Sequence, residues 1–149
     1  MDMYNTILAL TDGSEPSNHA LEHAAITAEK WGSKLSIITI VTPPPKIYTN
    51  VGGFSNDYNE DYEKAIMSYH LSVLEAAKNT IKEKHPDVKV TTQIKKGNTV
   101  QNILEASEAK DVDLVFIGGR GLSGLTGCFL GSVSNQIVNH CTKPIMVVK

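Results

Sequence analysis

Apolar residues follow two alternating patterns along this chain. Short, nearly unbroken apolar runs alternate with longer segments in which apolar positions recur every three or four residues. The runs predict strands over residues 4–11, 35–41, 88–94, 114–117 and 144–148. The first centres on Ile7, Leu8, Ala9 and Leu10. The second is rich in β-branched residues, as a strand covered on both faces should be. The intervening segments predict helices. In the first, Ala20, Leu21, Ala24, Ala25, Ala28 and Trp31 form one stripe; Ser14 or Ser17 caps it, Pro16 sits in its first turn and Gly32 ends it. The second spans about residues 59–84 and carries Tyr62, Ala65, Ile66, Tyr69, Val73, Ala76, Ala77 and Ile81 at helical spacing. The third opens at Asn98 or Thr99 and turns Val100, Ile103, Leu104 and Ala109 inward. Ser132 caps the fourth, with Val133, Ile137, Val138 and Cys141 inward.

Strands separated by helices imply parallel pairing. The expected fold is α/β: an open, doubly wound five-stranded parallel sheet with helices on both faces. A length of 149 residues without an internal repeat fits one domain over residues 1–149. The segment 42–56 interrupts the alternation. Its prolines and the Gly52-Gly53 pair exclude a regular element, and its length suggests a functional loop.

In such sheets ligands bind beyond the carboxyl ends of the strands, where the strand order reverses. Three segments should meet there: Thr11-Asp12-Gly13, the proline-rich 42–56 segment, and the stretch after the fourth strand. The last places Gly118, Gly119, Gly121, Gly124, Gly127 and Gly131 within fourteen residues. Glycine lets backbone N–H groups approach a phosphate with no Cβ in the way. Gly131-Ser132 then opens a helix, whose N-terminus presents free N–H groups and about half a positive charge. Arg120, the chain's one arginine, lies in the same stretch and carries a fork suited to phosphate oxygens; phosphate, solvent and a second subunit all stay open for it. No Asp or Glu occurs after Asp113, while Arg120, Lys143 and Lys149 do, so an anionic ligand should favour this tail. Asp12 ends the first strand and can accept from a ribose hydroxyl or reach a phosphate-bound metal; it also suits a plain Asp-Gly turn.

Other chemistries lack support. There is no GxxxxGK[ST] loop, and the formal GxGxxG at Gly119–Gly124 is followed by no acid to hold a ribose. No GxSxG elbow is present. His19 and His23 share a helix face without a third ligand, which reads as a solvated face, and Cys128 reads as a small apolar filler. No residue is assigned to catalysis or to a metal site. A formal net charge of -2 argues against nucleic acid as partner. No apolar run approaches the roughly 20 residues of a membrane span, and the N-terminus does not read as a secretion signal. Two cysteines, Cys128 and Cys141, in no metal or disulfide pattern fit a reducing, cytoplasmic setting.

These residues resemble the universal stress proteins along essentially the whole chain. The likeness begins with a strand ending in TDGS and closes with KPIMVVK. Its most specific part is the nucleotide motif G-x2-G-x9-G-[ST], which Gly118, Gly121, Gly131 and Ser132 complete. The resemblance implies the strand order 3-2-1-4-5 and ATP as ligand, with Mg or Mn held through its phosphates. It implies Asp12 near the adenosine and Leu10 and Ile40 against the adenine; Val41 replaces Ile40 under a one-residue shift. Gly118, Gly121, Gly131, Ser132 and Val133 match the grip on phosphate and ribose. It further implies a homodimer through the fifth strand, Ile145, Met146, Val147 and Val148, an apolar edge that wants a partner. The function expected is a stress-linked sensor or switch with no or very slow ATP hydrolysis. The alternatives are an interaction module without nucleotide and a true ATP hydrolase.

Overall fold

The computed structural model describes residues 3–43, 56–119 and 131–149. Within them all five apolar runs pair as strands: β1 (Thr6–Leu10), β2 (Lys34–Val41), β3 (Lys89–Lys96), β4 (Val112–Gly118) and β5 (Ile145–Val148). Every pairing is parallel, and the order across the sheet is β3-β2-β1-β4-β5. The connections carry α1 (Glu15–Trp31), α2 (Asn56–Lys84), α3 (Thr99–Ser107) and α4 (Ser132–His140).

Because strand side chains alternate between faces, each central strand feeds two cores. Ile7, Ala9, Leu35, Ile37, Leu114 and Phe116 point to one side and meet α1 and α2 through Leu21, Ala24, Ala25, Leu74 and Ile81. Leu8, Ile38, Ile40, Val112, Val115 and Ile117 point to the other and meet Ile103 of α3 and Ile137 of α4. Helices therefore cover both faces, as the alternation of strand and helix predicts.

The helix ends follow side-chain chemistry. The Ser14 side chain accepts from the Ser17 N–H and caps α1, while Gly32 closes that helix in the left-handed region at φ 68°. Asn98 accepts from the Gln101 N–H and caps α3. The cap of α4 departs from expectation. Gly131, not Ser132, holds the N-cap position, so this helix begins without a capping side chain of its own.

Two apolar stripes also depart from expectation. Among the described side chains of α2 only Leu74 and Ile81 are fully buried, and Tyr62 and Tyr69 remain about half exposed. In α4, Ser134 and Ile137 are the buried residues and Val133 is exposed. Helical periodicity fixes which residues share a face, but not whether that face meets the sheet or a cleft.

Candidate functional site

The strand order reverses between β1 and β4, since the chain goes from β1 to β2 on one side and returns to β4 on the other. A cleft of about 600 Å³ lies at this point, beyond the carboxyl ends of the strands. That volume lies within the usual range for small-molecule sites. Leu10, Thr11 and Asp12 line it from β1 and its turn, Ile40 from β2 and Thr42 from just beyond it, and Gly118 from β4; Gly131, Ser132, Val133 and Ser134 come from the start of α4. Seven of the residues singled out in the sequence thus share one cleft: Leu10, Asp12, Ile40, Gly118, Gly131, Ser132 and Val133. Ile40, rather than Val41, is the β2 residue that lines it. Arg120, Gly121 and Cys128, and positions 44–55 of the loop, lie outside the described residues.

The turn after β1 is tied down by short side chains. The Asp12 Oδ1 accepts from the Ser14 N–H at 2.9 Å, and the Ser17 hydroxyl donates to the Ser14 carbonyl at 2.9 Å. The Thr11 N–H donates to the Ile38 carbonyl at 2.9 Å, holding the turn to the end of β2. Gly13 sits at φ 80°, in the left-handed region. A Cβ there would lie 3.2 Å from both the Tyr69 hydroxyl and a Val73 methyl. This turn thus leaves one Asp12 oxygen free of the turn's own hydrogen bond.

The far side of the cleft is built from the ends of the glycine stretch. The Gly119 N–H donates to the Val148 carbonyl and the Gly131 N–H to the Gly119 carbonyl, both at 2.8 Å. The Ser134 hydroxyl donates to the Gly118 carbonyl at 2.7 Å. These bonds bring residues 119 and 131 together at a neck and set the N-terminus of α4 onto the cleft. The first N–H groups of a helix find no partner within it. With glycine as the cap, those of α4 suit an anion, aided by the helix dipole.

Gly118 carries a packing duty that the motif alone does not reveal. A Cβ on it would come within 3.0 Å of the Pro16 carbonyl carbon and 3.2 Å of the Ser17 nitrogen. The first turn of α1 lies directly on the end of β4, and only glycine leaves room for it.

Sequence reasoning missed one wall. Tyr62, Ala65, Ile66, Tyr69 and His70 of α2 also line the cleft. Their spacing had marked the first four only as one apolar helix face, with no role in the site. The one signal was composition: two tyrosines, each with an apolar body and a polar tip, suit a half-wet surface better than a sheet interface. The basic tail also reads differently in place. The Lys143 ammonium donates to the Val112 and Ala109 carbonyls, beside the amino end of β4 and away from the cleft. Lys149 borders a separate groove between α1 and α2. Neither lysine lines the cleft, so the groups suited to an anion in its described part are backbone N–H groups. Among the described residues no group of three or more His, Cys, Asp or Glu side chains is placed to hold a metal, and no helix is long and apolar enough to cross a membrane.

Comparison with known proteins agrees with this architecture. Universal stress protein YxiE of Bacillus subtilis (strain 168) is 29% identical over 150 residues, covering 99% of this chain and 100% of the relative. The structure of universal stress protein UspA from Lactobacillus plantarum superposes with a TM-score of 0.84 at 17% identity, over 98% of each chain. A universal stress protein in complex with cAMP superposes with a TM-score of 0.71 at 23% identity, over 97% of this chain and 96% of that one. The model of the universal stress protein family matches residues 3–149. With the sheet order, the switch-point cleft and this match in agreement, the chain belongs to the universal stress protein family.

Proposed function

We propose that this chain binds an adenine nucleotide, ATP by preference, in the switch-point cleft and acts as a stress-linked sensor or switch with no or very slow hydrolysis. The observation that carries the reading is the glycine-capped N-terminus of α4 opening onto the same cleft as Asp12, Leu10 and Ile40. An anion-seeking helix end beside an apolar recess fits a ligand with a phosphate tail and a flat, poorly solvated base. A related protein of the same fold has been solved with cAMP, also an adenine nucleotide.

In this reading Leu10 and Ile40 border the base, and Asp12 accepts from the ribose. Gly118, Gly121, Gly131, Ser132 and Val133 hold the phosphates and ribose largely through backbone, and Arg120 adds charge. Mg or Mn accompanies the nucleotide through its phosphates. Asp12 is the one carboxylate lining the described cleft, and its Oδ1 already accepts from Ser14, which is too little for a protein-built cage.

The test begins with release and identification of any small molecule that copurifies. Nucleotide-free protein is then titrated with Mg-ATP, ADP, AMP and GTP by calorimetry. Selective adenine-nucleotide binding at micromolar or tighter affinity is expected, lost in a folded Gly121→Val variant. Absence of binding by any nucleotide would favour an interaction module. Turnover above roughly 1 s⁻¹, ordinary for enzymes, would favour a hydrolase instead.

A further inference from the structure

The α2 wall of the cleft has no counterpart in the nucleotide motif, and its chemistry is distinct. Tyr62, Ala65, Ile66 and Tyr69 stand at i, i+3, i+4 and i+7, one face of the helix over two turns. All four line the cleft. Tyr62 is 48% and Tyr69 51% exposed, although large apolar bodies on a sheet-packed helix are ordinarily buried. Val133, another exposed apolar residue, lines the same cleft. Exposed apolar surface converging on one concave site marks a binding surface.

The wall is also oriented. The Tyr69 phenol reaches the β1–α1 turn, its hydroxyl 3.2 Å from where a Gly13 Cβ would stand. Its ring meets the His70 ring edge-on, with centroids 5.4 Å apart and planes at 89°. His70 is itself fixed, its Nδ1 donating to the Ile66 carbonyl at 2.9 Å. Between the two tyrosines stands the small side chain of Ala65, which also lines the cleft. Two aromatic rings flanking a small residue, facing a cleft whose sheet side presents Leu10 and Ile40, form a surface for a flat aromatic group.

We infer that Tyr62 and Tyr69 form an aromatic wall on which the nucleobase of the bound nucleotide stacks, so that α2 supplies the part of the affinity that depends on the base. The inference rests on the nucleotide reading above and adds a separate source of energy to it. The phosphates are gripped by backbone and helix terminus. The base is gripped by π-surface, which every base possesses and which purines offer most widely. Stacking of a base on an aromatic side chain accounts for about a 5- to 150-fold change in affinity when the ring is removed.

The decisive experiment compares Mg-ATP with magnesium tripolyphosphate, which has the charge but no base, by calorimetry. Wild type, Tyr62→Ala/Tyr69→Ala and Tyr62→Phe/Tyr69→Phe proteins are used, each first shown to melt cooperatively. Expected is a ten- to hundredfold weaker ATP affinity in the double alanine protein, about the range of one or two lost stacks. The ATP-to-tripolyphosphate affinity ratio should collapse with it and recover in the phenylalanine protein. An alanine protein that keeps the wild-type ratio overturns the wall, as does one that loses both ligands equally. Failure of wild type to bind any nucleotide overturns the reading beneath it, an outcome distinct from binding that ignores the tyrosines.

Discussion

Three glycines, one lining the cleft, one in the turn beside it and one at the far end of α1, answer to different physics, and substitution separates them. Gly118 has no left-handed backbone; it is required because its missing Cβ would strike the Pro16 backbone at 3.0 Å. Gly32 is the reverse: nothing lies within 4 Å of its Cβ position, but φ is 68°. Gly13 has both constraints, at φ 80° with Tyr69 and Val73 close by. Gly32→Ala should therefore cost about 1–2 kcal/mol, the left-handed penalty, and Gly32→Asn should recover most of it because asparagine tolerates that region. Gly118→Ala should cost about 1–3 kcal/mol through overpacking, and Gly118→Asn should be worse, not better. Thermal melts decide the case, since 1 kcal/mol moves the midpoint by roughly 2–4 °C for a chain of this size. Recovery by asparagine at position 118 would show that backbone conformation, not the approach of α1, demands glycine there.

Helix α4 invites a trade between stability and binding. Its N-cap is glycine, whereas α1 and α3 are capped by Ser14 and Asn98. Ser132, at its first position, is exposed. Ser132→Asp places a negative charge at a helix N-terminus and should stabilise the protein by about 0.3–1 kcal/mol. The same charge competes with phosphate for the same N–H groups, so Mg-ATP affinity should fall at least about tenfold, the equivalent of 1.4 kcal/mol, and more steeply at low salt. A stabilised variant that binds ATP like wild type would place the phosphates elsewhere. The elements themselves were legible in the sequence because each carries one dominant signal: unbroken apolar strands, the alanine-rich stripe of α1, the Asn98 cap. The parallel sheet with covered faces followed from their alternation, its strand order from the family resemblance. What was not legible is what each apolar face opposes. Tyr62 and Tyr69 share the period of a core stripe, and Val133 shares that of Ile137, yet each lines the cleft. Sequence period reports a face, and only topology assigns that face a neighbour. The duty of Gly118 was hidden for a related reason: close approach to Pro16 joins segments about a hundred residues apart.

The two edges of the sheet differ in a way that predicts assembly. β3 is a guarded edge: Lys89, Thr91, Thr92, Lys95 and Lys96 are exposed along it, and lysine discourages further strand pairing. β5 has no such guard. Its sequence is Ile-Met-Val-Val, Met146 is 49% exposed, and its outer edge pairs with no strand among the described residues. An unguarded apolar edge is an association site, and pairing with a second copy of itself satisfies its free N–H and C=O groups within a closed two-fold assembly. We therefore expect a homodimer through β5 in solution. Met146→Lys should convert it to monomer, whereas Thr91→Lys on β3 should leave it unchanged. Light scattering coupled to size exclusion over a range of concentrations reads both. A monomeric wild type, or a dimer that survives Met146→Lys, would remove β5 as the interface. The same strand also touches the candidate site, because the Val148 carbonyl accepts from the Gly119 N–H at the neck of the glycine stretch. Any shift of β5 on association is thus felt at the start of that stretch, and coupling between two equilibria is reciprocal. If the dimer tightens with Mg-ATP present, each ATP must bind the dimer more tightly than the Met146→Lys monomer by the square root of that factor, since a two-fold dimer holds two sites. Equal ATP affinity in the two would mean that the neck does not transmit the contact.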